Sequence, residues 1–312
     1  MIITDNLKKI NKNEKKLLIL GDFDGVHKGH VSLIEKSVKI AKAENLSCCV
    51  YTFKVNTKLL TRGNVSFLTT DEEKNGIFGK YCLDCVYYED FESVKNMEPR
   101  EFCKYLAEYF GAKRIVCGEN FSFGKNASAG SNDLKRFMKE YGIETDIMPM
   151  VKENGKIVSS TLIRSLVSDG RIEKANELLG YPYFVNAPVV HGKEFGRKLG
   201  FPTINQLEYG NKTKLKHGVY ACICTIGEKK YPGVANVGLK PTVEKDADAP
   251  VTIETHIIDC SEDLYGKTVK IEFYKFLREE KKFSSLDELK ENIMNNIMQT
   301  KEYFKGESTD ER

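Results

Sequence analysis

Short apolar runs alternate with helical periodicities through the first half of the chain. The run KKLLIL (15 to 20) is apolar at consecutive positions, which predicts a strand buried on both faces. Val31, Ile34, Val38 and Ala41 then return at three- and four-residue steps through HVSLIEKSVKIAKAEN, the spacing of one helix face. SCCVYTF (47 to 53) predicts the next strand, so this opening region forms a strand–helix–strand unit. Further strands are predicted over CLDCVYY (82 to 88), AKRIVCG (112 to 118) and GIETDIMPM (142 to 150). Helices are predicted from Pro99 to Phe110, with proline in the first turn, and from Asp133 to Tyr141. Strands separated by helices imply an α/β domain with a mostly parallel sheet, whose ligands sit beyond the C-terminal strand ends. Gly21 to His30 lies at such an end.

Residues 160 to 179 read as two short helices parted at Gly170 and ended by Gly180 and Pro182. The texture then changes. YFVNAPVV, GVYACICTI, KKYPGVANV, VTIETHIID and KTVKIEFY are β-like, separated by glycine, proline and charge, with no helix between them. That pattern predicts a compact antiparallel barrel or sandwich. One helix closes it, from about Ser285 to Phe304, with Leu286, Leu289, Ile293, Ile297 and Met298 on one face.

Length agrees with two domains, because single cores stop growing near ~250 to 300 residues and this chain has 312. The division is expected at 1–183 and 184–312. An apolar fraction of 41% and a charged fraction of 30% are those of a globular protein with a sizeable interior. The 48 Lys and Arg against 45 Asp and Glu give a net charge of only +3, dispersed rather than bunched, which argues against nucleic acid as a partner. No stretch has the length of a membrane helix and the start lacks a secretory-type apolar segment, so no membrane association and a cytoplasmic location are expected. The partners expected are small molecules, with weak self-association left open. The nine cysteines are odd in number and fall mostly in apolar runs, as buried reduced thiols do. Cys82 and Cys85 have a CxxC spacing, but no second pair follows, and a strand over 82–88 would point the two thiols to opposite faces.

The stretch LGDFDGVHKGH (20 to 30) carries the first candidate chemistry. His27 and His30, three apart, raise the question of zinc, yet no third ligand follows at a usual spacing, and no cysteine or serine nucleophile lies beside them. An anion site uses more of the residues. Gly21 and Gly25 let the chain turn after the strand, Gly29 allows close approach, and the helix start offers amides and a positive dipole end. The two imidazoles can donate to phosphate oxygens and stabilise a leaving pyrophosphate. Histidines that merely cap and pack remain the alternative. Later, in SSTLIR (159 to 164), Ser160 or Thr161 can cap a helix while Arg164, one turn on, offers a forked guanidinium to the same anion.

The motif Phe23-Asp-Gly-Val-His-Lys-Gly-His30 resembles the HxGH signature of nucleotidyltransferases, in the form found in bacterial bifunctional riboflavin kinase/FAD synthetases. Gly118-Glu-Asn-Phe-Ser-Phe-Gly124 is similar to that family's GxDFxFG loop, with Asn120 where aspartate is usual, and Ser159 to Arg164 matches its SSTxIR segment. The chain departs from the family after the second strand. Where a TFxPHP-like segment is usual it reads Thr52-Phe-Lys-Val-Asn-Thr57, with Asn56 in place of histidine and both prolines missing.

In the second domain, HGKEFGRKLGFPTIN (191 to 205) places Gly192, Gly196 and Gly200 in a loop able to wrap phosphates. Thr203 and Asn205 follow as two small oxygen ligands on one face, which suits Mg²⁺ shared with nucleotide phosphates. The stretch resembles the flavokinase signature GxxxGRxLGFPTAN, with Ile204 in place of alanine, and matches continue through Gly218 to Ala221, Gly233 to Gly238, Pro241-Thr242, Ile253 to Asp259, Leu264 to Gly266 and Arg278.

The resemblance covers nearly the whole chain. It implies a Rossmann-like HxGH domain followed by a flavokinase barrel, with ATP as co-substrate, riboflavin, FMN and FAD as substrates or products, and Mg²⁺. It implies catalysis of adenylyl transfer by His27, His30 and Arg164, with Gly21, Asp24, Gly25, Gly29, Ser160 and Thr161 at the ATP phosphates. Asn120, Phe121 and Arg278 would contact the flavin, and Glu254 would act as base toward the riboflavin 5′-hydroxyl. His256, on the same face two residues on, is read as structural.

Overall fold

The computed structural model describes residues 1–55, 66–192, 195–207, 210–239 and 251–307. The chain divides into two compact units, Met1–Leu162 and Ile163–Arg312. Asn56, Thr57, Pro241 and Thr242 lie outside the described residues.

The strands of the first unit are β1 (Ile2–Thr4), β2 (Lys16–Leu20), β3 (Ser47–Phe53), β4 (Cys85–Glu89), β5 (Ala112–Gly118), β6 (Ser122–Phe123), β7 (Ala129–Gly130), β8 (Glu144–Met148), β9 (Lys152–Glu153) and β10 (Lys156–Ile157). Its helices are α1 (Lys28–Ala43), α2 (Asp71–Phe78), α3 (Phe91–Val94), α4 (Pro99–Phe110), α5 (Ser131–Lys139) and the start of α6 (Ser160–Ser168). Six strands form one sheet in the order β1-β4-β3-β2-β5-β8, parallel at every junction. Every residue of β2 is buried, as its unbroken apolar run requires in a sheet covered on both faces. Side chains from Leu18, Leu20, Tyr51, Tyr87 and Ile115 pack with Phe102, Leu106 and Phe110 of α4 and Leu134 and Met138 of α5. The hairpins β6–β7 and β9–β10 extend from the C-terminal side of the sheet, after β5 and β8.

β4 begins at Cys85, three residues later than the apolar run suggests. Cys82 therefore precedes the strand and is exposed, and the expectation that strand alternation separates the two thiols does not apply. Cys85 is buried and sits opposite Cys49 in the β3–β4 register. All nine cysteines are free, and only Cys82 and Cys260 are not buried.

The second unit holds most of α6, then α7 (Ile172–Leu179), β11 (Phe184–Pro188), α8 (Phe195–Lys198), β12 (Ile204–Leu207), β13 (Gly218–Ile226), β14 (Lys229–Leu239), β15 (Val251–Ile257), β16 (Thr268–Arg278) and α9 (Leu286–Glu307). The sheet order is β11-β16-β13-β14-β15-β12, antiparallel throughout. Val190, just past β11, bridges Asn205 of β12 with an N–H to carbonyl distance of 2.8 Å. That bridge brings the two edge strands together at one point, so the sheet is a near-closed barrel rather than a sandwich. α9 packs Ile297 against Val219, Val234 and Ile258. Its inward face also buries Asn296 and Thr300; of the apolar face read from sequence, Leu289, Ile293 and Ile297 are partly buried, whereas Leu286 and Met298 are exposed. Asn296 Oδ1 there accepts from Arg278 Nε at 3.3 Å. Among the described residues no helix is long and apolar enough to cross a membrane.

Candidate active sites

The strand β2 ends at Leu20, and the chain must reverse within a few residues to start α1. It does so through a 3-10 turn at Asp24–Val26, entered at Phe23 with a left-handed φ of 55° and containing Gly25 at φ 76°. Gly25 tolerates that conformation because it lacks Cβ. Phe23 is fully buried between His30 and Phe78, with ring centroids 5.1 and 5.7 Å away. Asp24 is also buried, and its Oδ1 accepts the backbone N–H groups of Leu68 (2.7 Å) and Thr69 (3.4 Å). Gly25 N–H donates to Thr69 Oγ1 at 3.0 Å. The carboxylate thus ties the turn to a segment distant in sequence.

His27 is the N-cap of α1, its Nδ1 accepting the His30 N–H at 3.4 Å. The imidazoles of His27 and His30 stack at 3.7 Å with 15° between planes. Gly29 permits this, since a Cβ there would lie 3.1 Å from the His27 ring. Burial pushes the His27 pKa down from 6.5 to about 4, so the ring is neutral near pH 7. With Nδ1 accepting, the proton resides on Nε2 and makes it a donor.

The SSTLIR segment meets this turn. Ser160 Oγ donates to the Asp24 carbonyl at 2.8 Å, while Ser159 Oγ caps the helix by accepting the Leu162 N–H at 3.3 Å. The capping hydroxyl is therefore Ser159, not Ser160 or Thr161 as the sequence suggested, because Ser160 already lies in the first turn and points back at the strand-to-helix turn. Thr161 is exposed beside it. The compact units divide within this helix, and Arg164 falls in the second unit.

In the GENFSFG loop the Asn120 Oδ1 folds over Gly118, where a Cβ would lie 2.9 Å away. Phe121 is half-buried, stacked on Phe123 at 5.9 Å, and Phe123 meets Phe102 at 5.4 Å. Sequence reasoning missed the segment after the undescribed residues. Val55 N–H donates to the Asp71 carboxylate (3.3 Å), and Lys74 Nζ donates to the Phe53 carbonyl (3.2 Å) while pairing with Asp71 at 3.0 Å. Thr70 and Glu73 form a capping box at the start of α2, a signal legible in TTDEEK.

In the barrel, Glu254 of β15 stands opposite Asn205 of β12 on one side and Asn236 of β14 on the other. Inward-pointing Ile253, Thr255 and Ile257 are buried, so the Asn205–Glu254–Asn236 row lies on the outer face, where Glu254 is exposed. Asn236 was not singled out from sequence; its pairing with Glu254 is set by register. Asn205 leans on the backbone of Gly192, where a Cβ would collide with its side chain at 2.2 Å. Gly196 similarly accommodates the Phe201 carbonyl, 2.4 Å from where its Cβ would be, and Gly200 has φ 87°. Thr203 lies half-buried just before β12. Arg278 closes β16 with Nη1 donating to the Glu279 carbonyl at 3.0 Å and its guanidinium over Phe283.

A parallel sheet feeding a histidine-capped helix start, followed by a barrel with a carboxylate between two asparagines, defines a two-unit protein built to handle phosphates. The family model for FAD synthetase matches residues 9–162 and that for riboflavin kinase residues 179–304. Bifunctional riboflavin kinase/FMN adenylyltransferases are similar along their length: that of Escherichia coli K12 at 33% identity over 92% of both chains, and that of Listeria monocytogenes at 31% over 97% of this chain and 96% of its own. A crystal structure described as a macrolide-efflux protein from Streptococcus pneumoniae superposes with a TM-score of 0.85 at 29% identity, covering 96% of this chain and 98% of that one. The chain belongs to the bifunctional riboflavin kinase/FMN adenylyltransferase family.

Proposed function

We propose that the chain phosphorylates riboflavin with ATP to give FMN, and then adenylylates FMN to FAD with release of pyrophosphate. The observation that carries this reading is that each unit gathers its own phosphate-handling groups: the stacked His27 and His30 at the start of α1 with Ser160 bonded to the preceding turn, and the Asn205–Glu254–Asn236 row on the barrel.

In the barrel, Glu254 takes the proton of the riboflavin 5′-hydroxyl, whose oxygen attacks the γ-phosphorus of ATP as ADP leaves. Thr203 and Asn205 offer neutral, hard oxygen donors beside a carboxylate, a set that fits Mg²⁺ held mainly through nucleotide phosphates. When bound, the ion neutralises phosphate charge. Gly192, Gly196 and Gly200 give the phosphate loop its shape, and Arg278 borders the flavin.

In the first unit an FMN phosphate oxygen attacks the α-phosphorus of ATP directly. The helix start at Gly29 and His30, the neutral His27 donor, Ser160 and Thr161 stabilise the charge that develops on the phosphates, and Arg164 joins them through the motif it completes. Asp24, Gly21 and Gly25 hold the turn in place. Asn120 and Phe121 border the flavin. We place the activity boundary at 183/184 and the protein in the cytoplasm as parts of the same proposal.

The direct test is to incubate the chain with riboflavin, ATP and Mg²⁺ and separate the flavins. FMN and FAD are expected in sequence; no flavin product overturns the reading. Glu254→Gln should abolish most kinase turnover while leaving FAD formation from supplied FMN intact. His30→Ala should do the reverse, lowering adenylyl transfer by ~10²-fold or more, the scale of one lost preorganised donor.

A further inference from the structure

The barrel's glycine loop is folded on itself. Phe201 N–H donates to the Gly196 carbonyl at 2.9 Å, and the Phe201 carbonyl in turn sits against Gly196. This closure is local to residues 196–201 and does not fix where the loop lies on a strand. His256 ties it to a strand: its Nδ1 is 2.8 Å from the Pro202 carbonyl oxygen, and its ring meets Phe201 edge-on at 5.7 Å and 89°. A carbonyl only accepts, so Nδ1 carries the proton and the ring is held as a donor.

Position gives the contact its consequence. β12 begins at Ile204, opposite Thr255 of β15, so His256 grips the chain immediately before Thr203 and two residues before the strand. His256 also follows Glu254 by two residues and shares its outer face. The barrel interior is filled by Ile253, Thr255 and Ile257 from the opposite face of β15, and His256 itself is only half-buried.

We infer that His256 is a positioning residue for phosphoryl transfer: by holding the Phe201-Pro202 backbone against β15, it sets Thr203 and Asn205 in place relative to Glu254. The inference rests on the kinase reading above. Side chains that must bring ATP phosphates to a hydroxyl are sensitive to small displacements, and a shift of about 1 Å in such a site can cost ~10²-fold.

The test compares His256→Leu, His256→Asn and His256→Gln in the full chain. Asn places its Nδ2 on Cγ, as His places Nδ1, and so keeps the donor; Gln carries its amide one bond farther out; Leu has none. For His256→Leu, kcat/KM for riboflavin phosphorylation should fall about 10- to 100-fold through a lower kcat and a higher KM for MgATP, with KM for riboflavin little changed. His256→Asn should recover most of that loss and His256→Gln should not, at equal barrel denaturation midpoints. Wild-type kcat/KM in His256→Leu overturns the inference, as does an Asn variant no better than Gln. If the Leu variant fails to fold, the Asn and Gln pair decides the matter. A wild-type chain that makes no FMN overturns the kinase reading itself and this inference with it, whereas a wild-type chain that makes FMN beside unaffected variants overturns the inference alone.

Discussion

His27 accepts a proton only below about pH 4 because burial disfavours its charged form, whereas in the unfolded chain it does so near 6.5. Between those values the unfolded state binds more protons, so the stability this residue permits is present above pH 6.5 and falls as pH falls toward 4. Its contribution to that loss is about 3 kcal/mol in full, and about 1.5 kcal/mol between pH 6.5 and 5. His27→Asn keeps an N-cap acceptor but does not titrate, so urea midpoints of the first unit should drop less between pH 6.5 and 5 in the variant than in the wild type. Equal drops would place the acid sensitivity elsewhere. In the barrel, Asn236 borders Glu254 by register, and Asn236→Ala should lower riboflavin phosphorylation about tenfold, the scale of one hydrogen bond, while FAD formation from FMN is unchanged. His27 and His30 were legible in sequence because their chemistry lies within four residues. Asn236 was not, because it is 18 positions from Glu254 and only strand pairing brings the two together, and the role of Glu254 came from the family resemblance rather than from its strand.

At the scale of elements, what decides the first site is how the turn after β2 is held. Asp24 and Gly25 bond to Leu68 and Thr69, and Asp71 and Lys74 secure the end of β3, so segment 68–74 acts as a brace for the strand ends nearest the histidines. Thr69→Val keeps the shape and removes the hydroxyl that receives the Gly25 N–H. It should cost about 1 kcal/mol of stability in the first unit and depress adenylyl transfer, with phosphorylation of riboflavin unaffected. Long elements with a clear period were readable: α4, β5 and β13 match their expected spans. β1 was not, since three residues at a sheet edge leave Ile2 and Ile3 exposed and show no period to read. The α9 face was read correctly at Leu289, Ile293 and Ile297 and misread at its edge, at Met298. Hydropathy ranks Met298 above Asn296, but Asn296 has a half-buried partner in Arg278 and faces inward.

At the scale of the whole molecule, the two proposed chemistries use separate residue sets, and the product of one is the substrate of the other. FMN is a free, water-soluble phosphate ester, and nothing in either proposed mechanism leaves it covalently attached to the protein. On the proposed roles, a chain carrying Glu254→Gln should still adenylylate, and one carrying His30→Ala should still phosphorylate. Mixed in equal amounts with riboflavin, ATP and Mg²⁺, the two variants should therefore make FAD that neither makes alone at a comparable rate. Because FMN must then pass through solvent, FAD should appear after a lag in which free FMN accumulates, and added apoflavodoxin, which captures FMN, should suppress FAD formation in the mixture. If the wild type at the same concentration shows the same lag and the same suppression, the wild type releases FMN too. If the mixture makes no FAD, the separation of activities between His30 and Glu254 fails, since each variant would then have lost more than the one step assigned to its residue.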